Sequence, residues 1–313
     1  MIVDTYGTVV ALALSFFMSL AEASPTPTAS AAPPAATSPS RDPCGGSHEL
    51  LKKYLAASPC VFVAGQASVQ ATYASTYIPA NVRLDLGHSS ANVSTNRSAF
   101  GYPGAMLNIG VSHNAQITIL PPSFSQIQSA PRGILVAGAT DMQFWYKQLV
   151  YVDGARGILG GLLLTYEAPS GSPGLAAPGP AYTVNPLLNI ATNKSRTMGV
   201  SLAFPISNLA TSTASGVERA WVFVPQAVPF WRSPGGTLLA LVVSHNFTTN
   251  ATPLLLNTAQ LISRRFQIQA TYGGVDGSVD LANPLEGVVR AQGTTYSRTL
   301  TVGGSVLLGE TSE

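Results

Sequence analysis

The chain alternates apolar and polar residues in short runs, again and again. Val82, Leu84 and Leu86 fall on one face of a strand, with Arg83 and Asp85 between them. Met198, Val200, Leu202, Phe204 and Ile206 alternate with Thr197, Gly199, Ser201 and Ala203. Phe266, Ile268, Ala270 and Tyr272 alternate with Arg265, Gln267, Gln269 and Thr271, and Ile117 and Ile119 with Gln116 and Thr118. A period of two is that of a strand whose two faces meet different surroundings. About twelve such segments are expected: 79–90, 103–111, 115–121, 138–151, 156–168, 180–191, 196–207, 218–230, 236–246, 252–262, 264–273 and 295–308. Turns such as Ser112-His113-Asn114 and 192–195 are short and polar, whereas 122–137, 169–179 and 274–294 read as long loops. Pro186, Pro205, Pro225, Pro229 and Pro253 lie within the segments. Proline cannot donate to a ladder, so each is expected at a strand end or bulge.

Composition decides what the two faces meet. Only 10% of the 313 residues are charged while 46% are hydrophobic, and mean hydropathy is +0.25. An ordinary soluble domain carries roughly 25% charged residues. No run of ~20 apolar residues could cross a bilayer as a helix. Apolarity that is high on average but never continuous fits strands with lipid on one face and a lumen on the other. The expected class is all-β: an antiparallel transmembrane β-barrel of about twelve strands in a bacterial outer membrane. A soluble β-sandwich also alternates, but would carry more charge outside. The net charge of +2 gives no electrostatic case for a nucleic-acid partner.

The N-terminal part differs. Residues 1–23 read as a signal peptide, with an apolar core at 8–20 and Ala21-Glu22-Ala23 as a small-x-small cleavage site. Residues 24–41 are rich in Pro, Ala, Ser and Thr and read as a disordered linker. Residues 42–78 form a periplasmic or plug-like segment, and the barrel is placed at 79–309. A short helix is expected in 48–57. Cys44 and Cys60 flank it, and in an oxidising space a lone local pair favours a disulfide over two free thiols. Residues 61–78 alternate at Val69, Ala71 and Tyr73 and read as a strand-like extension outside the barrel, with a thirteenth strand or a lumen plug as alternatives.

Several segments carry a resemblance. Tyr102–Phe124 (YPGAMLNIGVSHNAQITILPPSF), Ala139-Thr140-Asp141 with Gln143–Lys147, Leu164–Ser172 (LTYEAPSGS) and Arg265–Gly274 (RFQIQATYGG) resemble the strand and turn motifs of the MetA-pathway phenol-degradation family of outer-membrane proteins. The Cys44/Cys60 pair is similar to an N-terminal region of some members. The resemblance spans about residues 79–309 and departs from the pattern in lacking a C-terminal aromatic residue. It implies a barrel and passage of small aromatic or other apolar molecules; its motifs are structural and imply no catalytic residues.

Candidate chemistry is sparse. The four histidines are His48, His88, His113 and His245, and no hydrolase, metalloprotease or phosphate-binding motif accompanies them. No cofactor or metal is expected. Arg83, Asp85, Lys147, Glu167 and Arg265 are assigned to the lumen, either as a polar constriction that selects solute or as pairs that hold the barrel closed. Aromatic residues near segment ends, including Phe144, Trp145, Tyr166, Tyr182, Phe230, Trp231 and Tyr272, suit an interfacial girdle. The expected function is passive transport by a monomer in contact with outer-membrane lipid and a small-molecule solute. The alternatives are a lipid-acting enzyme with a nucleophile–His pair at the rim, and a structural or surface-binding barrel using its long loops.

Overall fold

A computed structural model describes residues 44–45, 48–85, 89–130, 133–173, 175–193, 195–213, 216–247, 251–285 and 288–309. Residues 1–41, read as a signal peptide and a linker, and His88 lie outside the described residues. In chain order come a six-residue helix α1 (Glu49–Tyr54) and sixteen strand segments: β1 (Gln66–Asp85), β2 (Ser90–Gly110), β3 (Ala115–Leu120), β4 (Phe124–Ala130), β5 (Gly133–Ala139), β6 (Met142–Asp153), β7 (Ile158–Ala168), β8 (Ala181–Ala191), β9 (Met198–Ala203), β10 (Ile206–Thr213), β11 (Gly216–Phe223), β12 (Gln226–Arg232), β13 (Thr237–Ser244), β14 (Leu254–Ser263), β15 (Phe266–Leu285) and β16 (Val288–Gly309).

Twelve of these segments close a ring, β1-β16-β15-β14-β13-β12-β9-β8-β7-β6-β3-β2, and β2 returns to β1. Every neighbouring pair is antiparallel. Closure leaves no strand edge in the wall, the condition for spanning lipid with β-structure. The other four segments, β4, β5, β10 and β11, prolong wall strands beyond a break. β4 pairs with β2 and β5, and β10 with β8 and β11.

Proline explains most of the breaks. Pro121-Pro122 separates β3 from β4, Pro205 separates β9 from β10, and Pro225 separates β11 from β12. Pro253 immediately precedes β14. Pro186 and Pro229 stay inside β8 and β12, but at gaps in pairing. Pro186 lies beside the β9/β10 break, where its carbonyl accepts the Phe204 N–H at 3.1 Å. The β12–β13 register skips from Ala227↔Val243 to Phe230↔Ala240, so Pro229 sits where no donor is needed.

Two boundaries differ from the sequence expectation. The first wall strand begins at Gln66, not at 79, and pairs from its first residue with Gly309 of β16. In place of the loops expected at 122–137 and 274–294, residues 124–130 and 133–137 belong to β4 and β5, and 274–285 and 288–294 to the long arms of β15 and β16. Their Gly, Asn, Asp and Pro residues imitate loop composition, yet antiparallel pairing satisfies the backbone even without an apolar face. The 169–180 connection is a loop. It is pinned by Asp141, whose Oδ1 accepts the Ser170 and Gly171 N–H groups (2.8 and 2.7 Å) and whose Oδ2 accepts the Ala177 N–H (2.6 Å).

The two faces separate as the alternation requires. Val69, Ile117, Tyr146, Leu164, Val184, Met198, Leu241, Leu256, Ile268 and Val302 are exposed on the outer face. Large aliphatic side chains facing outward around a closed wall form a lipid-facing band. Phe144, Tyr166 and Tyr182 are register partners on adjacent strands, and their rings lie 6.5 and 5.4 Å apart, a short stretch of girdle. Trp145 and Phe230, expected in that girdle, face inward instead. Phe230 is buried, and Trp145 packs against the interior cluster. Each stands one position out of phase with the neighbours that meet lipid, so strand-end position alone misplaced it.

Candidate functional site

The barrel encloses its own N-terminal segment. Cys44 and Cys60 form a disulfide that loops around α1. Leu51, Leu55 and Ala57 of this loop join one buried cluster with Leu163, Leu187, Ala203, Val228, Phe230, Leu238, Ala240 and Ala259 from β7, β8, β9 and β12 to β14. Leu50 and Phe62 pack against Leu307 of β16. Cys44, Cys60 and Val61 pack against Leu149 of β6 and Leu159 of β7. One six-residue helix therefore meets opposite sides of the wall, and the segment is a plug. Its apolar residues bury themselves here against the inward Leu, Val and Phe side chains of the wall.

Polar contacts fix the plug's height. Lys147 on β6 is inward and buried; its Nζ donates to Ser58 O (3.1 Å) and Cys60 O (3.5 Å). Gln116 Oε1 accepts the Phe62 N–H at 2.9 Å, and Gln66 Oε1 accepts from Lys53 Nζ at 2.9 Å. Lys53 also pairs with Glu49 one turn earlier, a buried ion pair inside the plug. Gly161 makes space on β7: a Cβ there would lie 2.7 Å from Pro59 Cβ. Burial pushes the Tyr54 phenol above its ordinary value, while a hydrogen bond with Thr271 works against that shift.

Two cavities flank the plug. One, of about 250 Å³, lies toward the short-turn end; His48, Lys52, Arg196, Arg232 and Phe230 are among its walls. The other, of about 210 Å³, is bounded by Tyr54, Phe62, Gln70, Asn108, Trp145 and Gln267. Around it Asn108, Gln116, Thr118 and Ser68 form a closed hydrogen-bonded network, with Thr118 Oγ1 donating to Asn108 Oδ1 at 2.7 Å. The cavities share Leu55, so the plug is thin where they approach.

The residues assigned to the lumen do not come together. Lys147 holds the plug. Glu167 is half-buried and accepts from Gln143 Nε2 at 3.0 Å, close to Asp141 at the loop end of β7. Arg265 is exposed in the turn between β14 and β15. Arg83 and Asp85 are exposed near the tip of β1, where Arg83 Nη2 reaches Ser90 Oγ at 3.4 Å. The amide network and the cation-lined cavity were not anticipated. The turn 194–196, which reads Lys-Ser-Arg, and the Arg232 that ends β12 were the available signals for the second.

For the enzyme alternative, His245 Nδ1 lies 3.0 Å from Thr252 Oγ1 near the rim. The only other contact of that ring among the described residues is the Phe247 ring, edge-on at 4.6 Å. Among the described residues no carboxylate hydrogen-bonds that imidazole to orient it as in a hydrolytic triad.

No protein-family model and no curated protein matches the chain. Among solved structures it is similar to an outer-membrane channel from Pseudomonas putida F1, at 14% identity and a TM-score of 0.57, over 79% of this chain and 97% of that one. Looser likenesses are the Pseudomonas putida toluene transporter TodX (6% identity, TM-score 0.41, 76% and 89% covered) and a Pseudomonas aeruginosa FadL homologue (9%, 0.38, 78% and 90%). The fold shared with the first is the closed barrel of bacterial outer-membrane proteins.

Proposed function

We propose that the chain is a passive outer-membrane transporter for small apolar or aromatic molecules, held closed at rest by its N-terminal plug. The observation that carries this reading is the pair of cavities separated by a plug so small that they share a lining residue. A barrel built only to be a structural wall has no need of interior space on both sides of a removable segment. The solved outer-membrane channel with the same fold supports the reading without fixing the solute. Short turns are the periplasmic side in such barrels, so the larger cavity faces the periplasm. No step requires a cofactor: solute enters from the loop end, waits above the plug and leaves below it when the plug shifts.

Uptake tests this directly. Vesicles with a lipopolysaccharide outer leaflet, which blocks apolar solutes, are reconstituted with the full chain and given labelled toluene. Uptake above that of protein-free vesicles is expected, and a larger rate for Lys147→Met, which removes the two bonds from the wall to Ser58 and Cys60. Equal uptake with and without protein, in both versions, would sink the transport reading.

A further inference from the structure

The cavity on the short-turn side has a chemistry that the other lacks. His48 and Lys52 of the plug and Arg196 and Arg232 of the wall line it, and no carboxylate among the described residues does. Arg232 ends β12 on its inward face. Its guanidinium lies 4.6 Å from the centroid of the Phe230 ring, and Nη2 donates to Arg196 O at 3.1 Å. Its Nε is buried with no hydrogen-bond partner. The guanidinium is half-buried, and a donor held in the interior without an acceptor costs free energy. Such a donor calls for an explanation, and an acceptor bound in the cavity supplies one.

Arg196 reinforces this. Among the described residues it is the one non-glycine with positive φ, +54°. Residues other than glycine, asparagine and aspartate rarely accept that conformation, and it is tolerated where the surroundings impose it. Its side chain crosses the turn, and Nη2 donates to Gly154 O at 2.5 Å. Arg196 thus contacts a carbonyl oxygen, and Arg232 a carbonyl oxygen and an aromatic ring, with no carboxylate partner among the described residues. Leu51, Leu55, Leu159 and Leu238 give the cavity an apolar floor, beside the polar Ser58 and Asn189.

We infer that this cavity binds a small organic monoanion, a carboxylate with an apolar body. The guanidinium fork matches a carboxylate with two parallel hydrogen bonds, which a point charge does not. Inorganic phosphate would leave the leucine floor without a partner. The wall keeps membrane lipid from the site, since Leu159, Phe230 and Leu238 line it from the buried, inward face. At about 250 Å³ the space lies below the ~300–1,000 Å³ of drug-sized sites, so the anion is small. The inference deepens the transport reading by naming a head group, and its test measures binding alone.

Equilibrium dialysis of the detergent-solubilised full chain against labelled benzoate reads it out, with neutral benzamide and inorganic phosphate as comparison ligands. Saturable benzoate binding is expected, with benzamide and phosphate at least about tenfold weaker. Arg232→Gln is expected to weaken benzoate about tenfold or more. Arg196→Gly removes the second cation while suiting the positive φ, so it keeps the turn; a similar loss is expected there even if Arg232→Gln folds poorly. No benzoate binding, equal binding of benzamide, tighter binding of phosphate, or unchanged binding in folded Arg196→Gly overturns the inference. Binding that persists while toluene and benzoate uptake both fail would sink transport and leave the anion site standing.

Discussion

In the wall each of the twelve strands is hydrogen-bonded to a neighbour on either side, and the ring closes through backbone ladders. The plug is held differently. Its side chains converge on residues from β6 to β9 and β12 to β14, a few amide and ammonium groups set its height, and one disulfide closes its loop. Wall cohesion is repeated and redundant; plug cohesion is concentrated in a few named contacts. Wall and plug are therefore expected to be separable units of stability, and under the proposed transport the second yields while the first stands.

The largest expected effect breaks the plug. Leu51 is fully buried at the centre of the interior cluster. Leu51→Ala is expected to cost the plug about 2–5 kcal/mol, the range for truncating a buried leucine. Hydrogen exchange in 48–62 should accelerate while the ladder amides of β7 and β13 stay protected. If those ladder amides lost protection in step, wall and plug would be one unit and the comparison would fail. The converse variant attacks the wall. Leu256 faces lipid between Leu241 and Tyr272. Leu256→Arg is expected to destabilise the barrel by about 2–4 kcal/mol if that level is near the bilayer midplane. A lowered urea midpoint for wall unfolding in lipid checks it.

Reducing Cys44–Cys60 comes next. The bridge spans 16 residues of sequence, and a loop of that order is worth roughly 3 kcal/mol in the chain-entropy account. Dithiothreitol should therefore raise protease cleavage within 44–62 and leave the heat-resistant compact barrel on gels unchanged. Loss of that compact form would make the disulfide a wall element.

How much of this was legible in sequence follows from the same contrast. Period-two alternation writes the wall directly, because each residue's surroundings depend only on its parity in the strand. That is why twelve segments could be read, and why Ser201 and Gln267 fall inward opposite Met198 and Ile268. The start at Gln66 was missed although Val69, Ala71 and Tyr73 alternate, because the run adjoins the cysteine loop and was grouped with it. The site is a matter of three dimensions. Lys147 and Arg265 both occupy the polar phase of a strand pattern, yet one grips the plug and the other stands in a turn. Arg196 and Arg232, 36 positions apart, meet only because β9 pairs with β12. No local pattern announces such a meeting.

A smaller effect sharpens the picture of how the plug is latched. Lys147→Met keeps the length of the side chain and removes the donors to Ser58 O and Cys60 O. The carbonyls left in the interior make a loss of about 1–3 kcal/mol the expectation, confined to the plug. Exchange at 56–62 should rise more than at 49–54, since the bonds lie after the helix. A uniform rise would mean that the plug moves as one rigid piece.

The smallest expected effect is one of pH, and it bears only on the plug. The Tyr54 phenol is raised above its ordinary value of 10.0, chiefly by burial, so the folded plug holds that proton more tightly than the released plug does. Stability from this group is then fully present below pH 10.0 and is lost as pH rises through the folded value. Alkaline solution should loosen the plug while the wall, whose backbone ladder does not titrate, is unmoved. Tyr54→Phe removes the titration together with the hydrogen bond to Thr271, at a baseline cost of about 1 kcal/mol. Protease sensitivity of residues 44–62 should consequently climb with pH in the native chain and stay flat in Tyr54→Phe. An equal climb in both would assign the alkaline loosening to another group and leave Tyr54 a packing residue.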